Sequence, residues 1–480
     1  MSLPRFIQIH TLHTYPAALL NRDDAGLAKR LPLGNAVRTR ISSQCLKRHW
    51  RVTEDKFSLV NLDVPMAIRS RSTLGLINNR IQESGISTEL AQAAEEVLRG
   101  ANAERRAELL AGWAQSASEA LRDAGLLDKS GKNITGDDAL KTGQAVLMGK
   151  AEIDYISNLC VNAIPLAIAL KNRIAQCEDY PGNIFALLNG SSFLPAALQK
   201  KLEREGVDKH ANELTKLFKK DVQKLSESEI LKSEIKFRLL SEKENIEAIK
   251  YGSGLESALF GRMVTSDILA SREASVSVAH AFTVHQAQVE NDYFTVVDDL
   301  MQEAGVLGSA GIFDTELASG LYYGYVVVDV PQLIENLEGI SAKDCFAEGT
   351  PAERRELAGR VVQHLLHLIA TVSPGAKRGS TAPFDWAKFM LVEAGDWQPR
   401  SLAGAFHDAL PLEDKSSADT IRQRAVARMS QELSAMDDAY GAPLTRRFLA
   451  LDAVEVPGAE RANLAKLGEW VKEIVQQGAC

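Results

Sequence analysis

The sequence predicts an α+β protein. Three observations carry that expectation: a β-branched segment near the N-terminus, a long helical stretch in the middle, and a return to strands followed by helices after about residue 275. The first element, Phe6-Ile7-Gln8-Ile9-His10-Thr11-Leu12, is β-branched-rich and bounded by Pro4 and Pro16, so it reads as a strand. A Gly/Pro/Asn-containing loop over Leu20 to Thr39 and a helix from about Ser43 follow. Residues 84–180 are expected to be largely helical, since Leu90, Ala94, Val97 and Leu98, and then Leu166, Ala169, Leu170 and Ile174, recur at helical spacing. Pro165 is placed in the first turn of the second of these helices, or as a break before it.

Residues 195–250 are dominated by Lys and Glu. Leu214, Leu217, Phe218, Leu225, Ile235 and Leu239 keep a helical period there, which implies a surface helical region with a solvated charged face. Ser275–Val278 alternates, and Leu321–Val328 is the strongest strand pattern in the chain. Thr350-Pro351-Ala352-Glu353 reads as a capping box opening a helix whose Leu357, Val361, Leu365, Leu368 and Ile369 face the core. A short strand at Phe389–Val392 and helices near 401–410, 418–437 and 463–477 complete the pattern. There is no internal repeat.

At 480 residues the chain can bury a large core, and 45% hydrophobic with 25% charged residues is ordinary for a globular protein. No run reaches the roughly 18 apolar residues that a membrane span needs, and the N-terminus lacks a secretory h-region. The five cysteines, Cys45, Cys160, Cys177, Cys345 and Cys480, are scattered without a CxxC pair, arguing against a disulfide framework or zinc ribbon. A cytoplasmic protein without membrane partners is expected.

The net charge of −8 by itself argues against nucleic-acid binding. The basic residues are segregated, however. Between Arg22 and Arg51 stand eight of them (Arg22, Lys29, Arg30, Arg38, Arg40, Lys47, Arg48, Arg51) against two acids, Asp23 and Asp24. In a helix starting at Ser43, Gln44, Lys47, Arg48 and Arg51 fall at i, i+3, i+4 and i+7 and share a face, while Leu46, His49 and Trp50 take the adjacent one. Ser42 or Ser43 suits the N-cap, and the free N–H groups of the helix start would attract a phosphate. The segment reads as a site for consecutive backbone phosphates, the alternative being an ordinary solvated helix face.

Asn21-Arg22-Asp23-Asp24 and Arg38-Thr39-Arg40-Ile41-Ser42-Ser43-Gln44-Cys45-Leu46-Lys47-Arg48 closely resemble the N-terminal motif of the CRISPR Cascade backbone subunit of the type I-E system, the CasC family. The resemblance continues in order through Gly261–Ser266, Ser277–Ala281, Thr283–Gln286, Asp292–Leu300 and Ser373-Pro374-Gly375-Ala376-Lys377, spanning residues 6 to about 400. It implies a modified RRM/ferredoxin-like palm (1–57, 256–284 and 321–480 with C-terminal helices), an inserted helical finger (58–255) and a β-hairpin thumb (285–320). It further implies that Arg22, Lys29, Arg40, Ser42, Gln44, Lys47, Arg48 and Arg51 lie along a guide RNA backbone and Met263 near the RNA path. Tyr293, Phe294, Thr295 and Ile312 would belong to the thumb, which folds over RNA held by a neighbouring copy. The implied partners are guide RNA, complementary target DNA, further copies in a helical stack and other Cascade subunits.

The sequence departs from that pattern in three places. Tyr293 stands where a tryptophan is expected, Gly305-Val306-Leu307-Gly308 reads as a thumb insertion, and the finger is long. Asp23-Asp24 and Asp298-Asp299 are candidate metal-binding carboxylate pairs, and a rival, RNA-cleaving subunit would rely on Asp23 or Asp24, although Asp23-Asp24 sits in a block like that of the non-cleaving family. An unrelated metabolic enzyme with an anion site is a third possibility. His364 and His367 read as satisfied helix histidines, His280 and His285 lie in the strand-rich block without the HExxH helix of a zincin, and no cofactor or metal fingerprint stands out.

Overall fold

A computed structural model describes residues 3–84, 103–123, 141, 145–175, 226–242, 245–246, 249, 253–262, 271–297, 309–414, 418–441 and 444–480. The chain forms two compact units, one of Met1–Val64, Ala258–Phe260 and Glu273–Cys480, the other of Pro65–Ser257 and Gly261–Arg272. Strands and helices both contribute, as the α+β expectation holds.

The first unit is built on a mostly antiparallel sheet of ten strands among the described residues. Its centre is β1 (Phe6–Ala18), flanked by β9 (Ser309–Asp329) and β10 (Phe389–Gly395). Beyond β10 lie β11 (Thr445–Ala450) and β12 (Ala459–Arg461); beyond β9 lie β7 (Ala281–Thr283), β3 (Ala36–Ile41) and β2 (Arg30–Leu33). β6 (Val276–Val278) and β8 (Gln288–Val297) also pair with β9.

Every residue of Phe6–His13 is buried because β1 is covered on both faces. Gln8, His10 and Leu12 share one face with Tyr323, Tyr325, Phe389 and Glu393, and Leu12, Tyr323 and Phe389 pack with Val426, Met429 and Leu433 of the helix Ile421–Tyr440. Thr11, His13 and Tyr15 point the other way and line a small cavity with Leu46, Trp50 and Ile369. A bulge between Tyr15 and Ala18 ends the regular pairing, with Ala17 at φ 37° and its N–H donating to Ser319 Oγ at 2.8 Å.

Several elements differ from the sequence reading. The expected loop Leu20–Thr39 contains the β2–β3 hairpin, turned at Gly34-Asn35 with Gly34 at φ 58°. Thr350 does not cap a helix: its Oγ1 donates to the Asp344 carbonyl, Ala352–Arg355 is a 3-10 turn, and the helix runs from Glu356 to Thr371. The element near 401–410 is the 3-10 turn Ala403–Phe406. Strand β9 is far longer than Leu321–Val328, since its first half pairs with β8 before its second half enters the sheet.

The second unit has helices Thr73–Ser84, Ala103–Asp123, Lys150–Ala175 and Glu227–Ser241 among its described elements, with a strand pair Ile68–Ser70 and Val146–Met148. Leu74, Ile77 and Ile81 pack with Trp113, Ala117, Ile153, Ile156, Ile230 and Ile235. The helix Lys150–Ala175 continues through Pro165, which neither starts nor breaks it; buried Ile153, Ile156, Ala163 and Ile164 before the proline and Ala167 after it hold the helix on both sides of the lost N–H. Arg262 and Glu152 form a buried ion pair at 2.6 Å. Leu90, Ala94, Val97, Leu98 and most of 195–250 lie outside the described residues.

Candidate nucleic-acid interface

Helix α1 spans Ser43–Val52 and begins as its sequence prescribes. Ser42 is the N-cap, its Oγ accepting the Cys45 N–H, and Thr53 returns the chain to an extended conformation at the other end. The spacing then divides the helix. Gln44 and Arg48 are exposed and Lys47 and Arg51 half-buried, while His49 and Trp50 are buried and Leu46 packs beside Tyr15, Ile41 and Tyr322. Lys47 Nζ lies 5.2 Å from the Phe260 ring centroid, and burial lowers its pKa.

The helix start is less open than the sequence suggests. The Ser43 N–H donates to His280 Nδ1 at 3.1 Å and the Cys45 N–H goes to the cap, leaving that of Gln44 without a protein partner among the described residues. Ser42 is itself buried, with its own N–H donating to Asn21 Oδ1 at 2.9 Å. Ser42 therefore shapes the helix end, and an anion arriving there would find the Gln44 N–H.

Two of the eight basic residues take other work. Arg38 is fully buried and donates to the carbonyl oxygens of Thr283 and Phe406, each at 3.0 Å, so it fastens the edge of the sheet and presents no charge to solvent. Arg30 is ion-paired to Glu316. Of the others outside α1, Arg22 is exposed at the start of a tight turn, Lys29 is half-buried at its end, and Arg40 Nε donates to the Arg30 carbonyl at 3.3 Å. Asp23 closes that turn, Oδ1 accepting the N–H groups of Ala25 and Leu27 at 3.0 and 2.9 Å.

A cation that the sequence reading missed joins the cluster. Burial raises the Cys45 thiol pKa, opposed by three nearby positive charges, Lys29, Arg48 and Arg378. Arg378 arrives on the loop after the helix Glu356–Thr371, held against α1 by His49. His49 Nδ1 donates to the Cys45 carbonyl at 2.8 Å, and its Nε2 accepts the Gly375 N–H at 3.3 Å. Burial first, then the charges of Arg378 and Arg48, keep that imidazole below its ordinary range and neutral, the form these two bonds require. The only signal in the sequence was the block Ser373–Lys377, just before Arg378.

The same loop reaches the β8–β9 hairpin. Lys377 Nζ donates to Thr315 Oγ1 at 2.6 Å and lies 5.5 Å from the Phe294 ring centroid. Phe294 faces Phe313 across the hairpin, the rings stacked at 5.6 Å, whereas Tyr293, one residue earlier, is turned to the opposite face and is 65% exposed. These aromatics are not core. Thr295 pairs with Ile312 in register. Met263, Gly305–Gly308 and Asp298-Asp299 lie outside the described residues. His364 and His367 are structural, the first bonded to the Ser58 carbonyl and the second stacked on Phe57.

The candidate interface thus consists of a cationic helix face and loop and a turn in which Arg22 and Lys29 stand against Asp23 and Asp24, with an aromatic hairpin attached through Lys377. The family model for CT1975-like protein, a group of Cas proteins, matches residues 7–477. The chain belongs to that family. Its fold is that of a chain from a CRISPR RNA-guided surveillance complex in pre-nicking form, at 21% identity and a TM-score of 0.63, with 98% of this chain and 100% of that chain covered. A chain of another CRISPR RNA-guided surveillance complex aligns at 19% identity and a TM-score of 0.55, covering 98% and 99%. No curated protein matches the sequence. No helix among the described residues is long and apolar enough to cross a membrane.

Proposed function

We propose that this chain is a backbone subunit of a CRISPR surveillance complex, of the type I-E kind, that holds guide RNA by its sugar-phosphate backbone. Copies line up along one guide and present it for pairing with target DNA. In this reading the sheet unit is the palm, the helical unit the finger and the β8–β9 hairpin a thumb reaching the RNA of the next copy. The observation that carries it is the polar face of α1, where Gln44, Lys47, Arg48 and Arg51 sit together beside Lys29 and Arg378. Flexible cations and a helix N–H suit phosphates and not base edges, as a carrier of variable guides requires.

Replacing Lys47 and Arg48 with Ala tests this. RNA affinity should fall alike for all guide sequences, and the slope of log affinity against log salt should flatten by roughly 0.7 per lost phosphate contact. A loss confined to one sequence would contradict backbone binding. The protein is assigned no catalytic step: Asp23 has a structural use in its turn. Periodic, Mg²⁺-dependent cleavage of complementary RNA that disappears in Asp24→Ala would overturn that assignment.

A further inference from the structure

The loop that carries Arg378 also holds two strongly exposed aromatic side chains, Phe384 at 72% and Trp386 at 71%. Their neighbours turn inward: Pro383 and Ala387 are buried, and the Asp385 side chain is only 9% exposed. Asp385 is pinned from three directions. Its Oδ2 accepts the Thr14 N–H at 2.7 Å, its N–H donates to Ser373 Oγ at 2.8 Å, and Lys388 pairs with its carboxylate. The Ala387 N–H donates to the Ala370 carbonyl at 2.8 Å.

Alternation along this anchored segment sets both rings on its outer side, two residues apart, or roughly 6 to 7 Å for an extended chain. No ring contact joins them among the described residues. Two rings that hold one planar base stand about twice the 3.4 Å stacking distance apart, a spacing within reach of outward side chains two residues apart. Charge favours an anionic partner. Lys377 and Arg378 precede the pair, and the carboxylates beside it are neutralised, Asp385 by Lys388 and Asp452 by Arg422.

We propose that Phe384 and Trp386 clamp one unpaired base of a single-stranded nucleic acid. This builds on the RNA-binding reading but adds a contact to a base, separate from the phosphate-holding face of α1. Stacking releases few counterions and tolerates any base, so it adds affinity without sequence preference or salt slope.

The test measures binding of labelled oligo(rU), oligo(rA) and oligo(dT) to the full chain by anisotropy across a salt series. The double variant Phe384→Ala, Trp386→Ala should bind about five- to hundred-fold more weakly with an unchanged salt slope. Leucine at both positions should bind as weakly as alanine, and tyrosine at both should restore binding; the RNA and DNA arms show which strand is taken. If wild type binds and none of these variants changes affinity, the clamp is refuted while backbone binding stands. If leucine binds oligonucleotide like wild type and alanine only reduces the size of assembled complexes, the pair is a protein-docking anchor, with exposed Leu451 beside Lys388 a natural part of it, and the clamp is again refuted. Failure of wild type to bind any oligonucleotide would overturn both readings.

Discussion

Arg38 and Arg48 are equally basic in sequence and opposite in use. Arg48 stands exposed on α1, whereas Arg38 is buried against the Thr283 and Phe406 carbonyls. Arg38→Ala should therefore lower the urea midpoint and leave the salt slope of RNA binding unchanged in the folded protein, the reverse of Arg48→Ala. A flattened slope in Arg38→Ala would show that the burial does not persist in solution. Glu393 is another residue whose charge works inside. Burial opposes its ionisation, yet hydrogen bonds from His10 and Arg400 hold its carboxyl well below the usual range. Arg446, itself buried, also donates to Glu393 Oε1 at 2.6 Å and bonds Asp437 through both terminal nitrogens. Glu393→Ala leaves His10 and Arg446 facing a void, and a loss of about 3–5 kcal/mol by denaturant titration is expected.

At the scale of elements, α1 and the hairpin depend on small local devices. The Ser42 cap bond should be worth about 1 kcal/mol, so Ser42→Ala should destabilise by that much and Ser42→Gly by less. The turn of β2–β3 depends on Gly34, where a Cβ would come within 1.7 Å of the His407 carbonyl oxygen and would face a φ of 58°. Gly34→Ala should lower the melting temperature, and an unchanged value would mean that the turn can move away. Phe294 belongs to an element that projects its aromatic face and touches Lys377. Phe294→Ala should impair ordered assembly on RNA, seen by sedimentation, more than binding of RNA by one copy; equal losses would contradict a thumb role.

For the whole molecule, the histidines give a pH dependence with a definite sign. His10, His13, His49, His280, His285, His364 and His367 are all held below the ordinary 6.5, burial being the first cause in each, and His13 falls to about 4. Between about pH 6.5 and 4 the unfolded chain thus binds more protons than the folded one, so stability rises with pH through that window. Denaturant midpoints should be highest above pH 6.5 and fall progressively toward pH 4. A flat profile would show that these imidazoles titrate freely in the folded state. Protonation of His280 would also remove its acceptor from the Ser43 N–H, so α1 is one of the places where acid acts.

The sequence by itself determined what depends on near neighbours. Helical spacing and a serine before Ser43 were enough to place α1, its cap and its two faces, and β-branched runs located β1 and the second half of β9. The ordered motif blocks pointed to the Cas proteins, and the family match agrees at that level. Even locally some signals were missed, since Gly34-Asn35 between two extended runs is a hairpin turn. Only the tertiary structure decided which charges reach solvent. Sheet order brings β3 beside β7 and the loop after Thr371 against α1, burying Arg38 and adding Arg378 to the cluster. It also sets Lys377 on Phe294 and leaves Phe384 and Trp386 outside. These partners are distant in the chain, and a pattern of local spacing carries no information about which of them burial will pair.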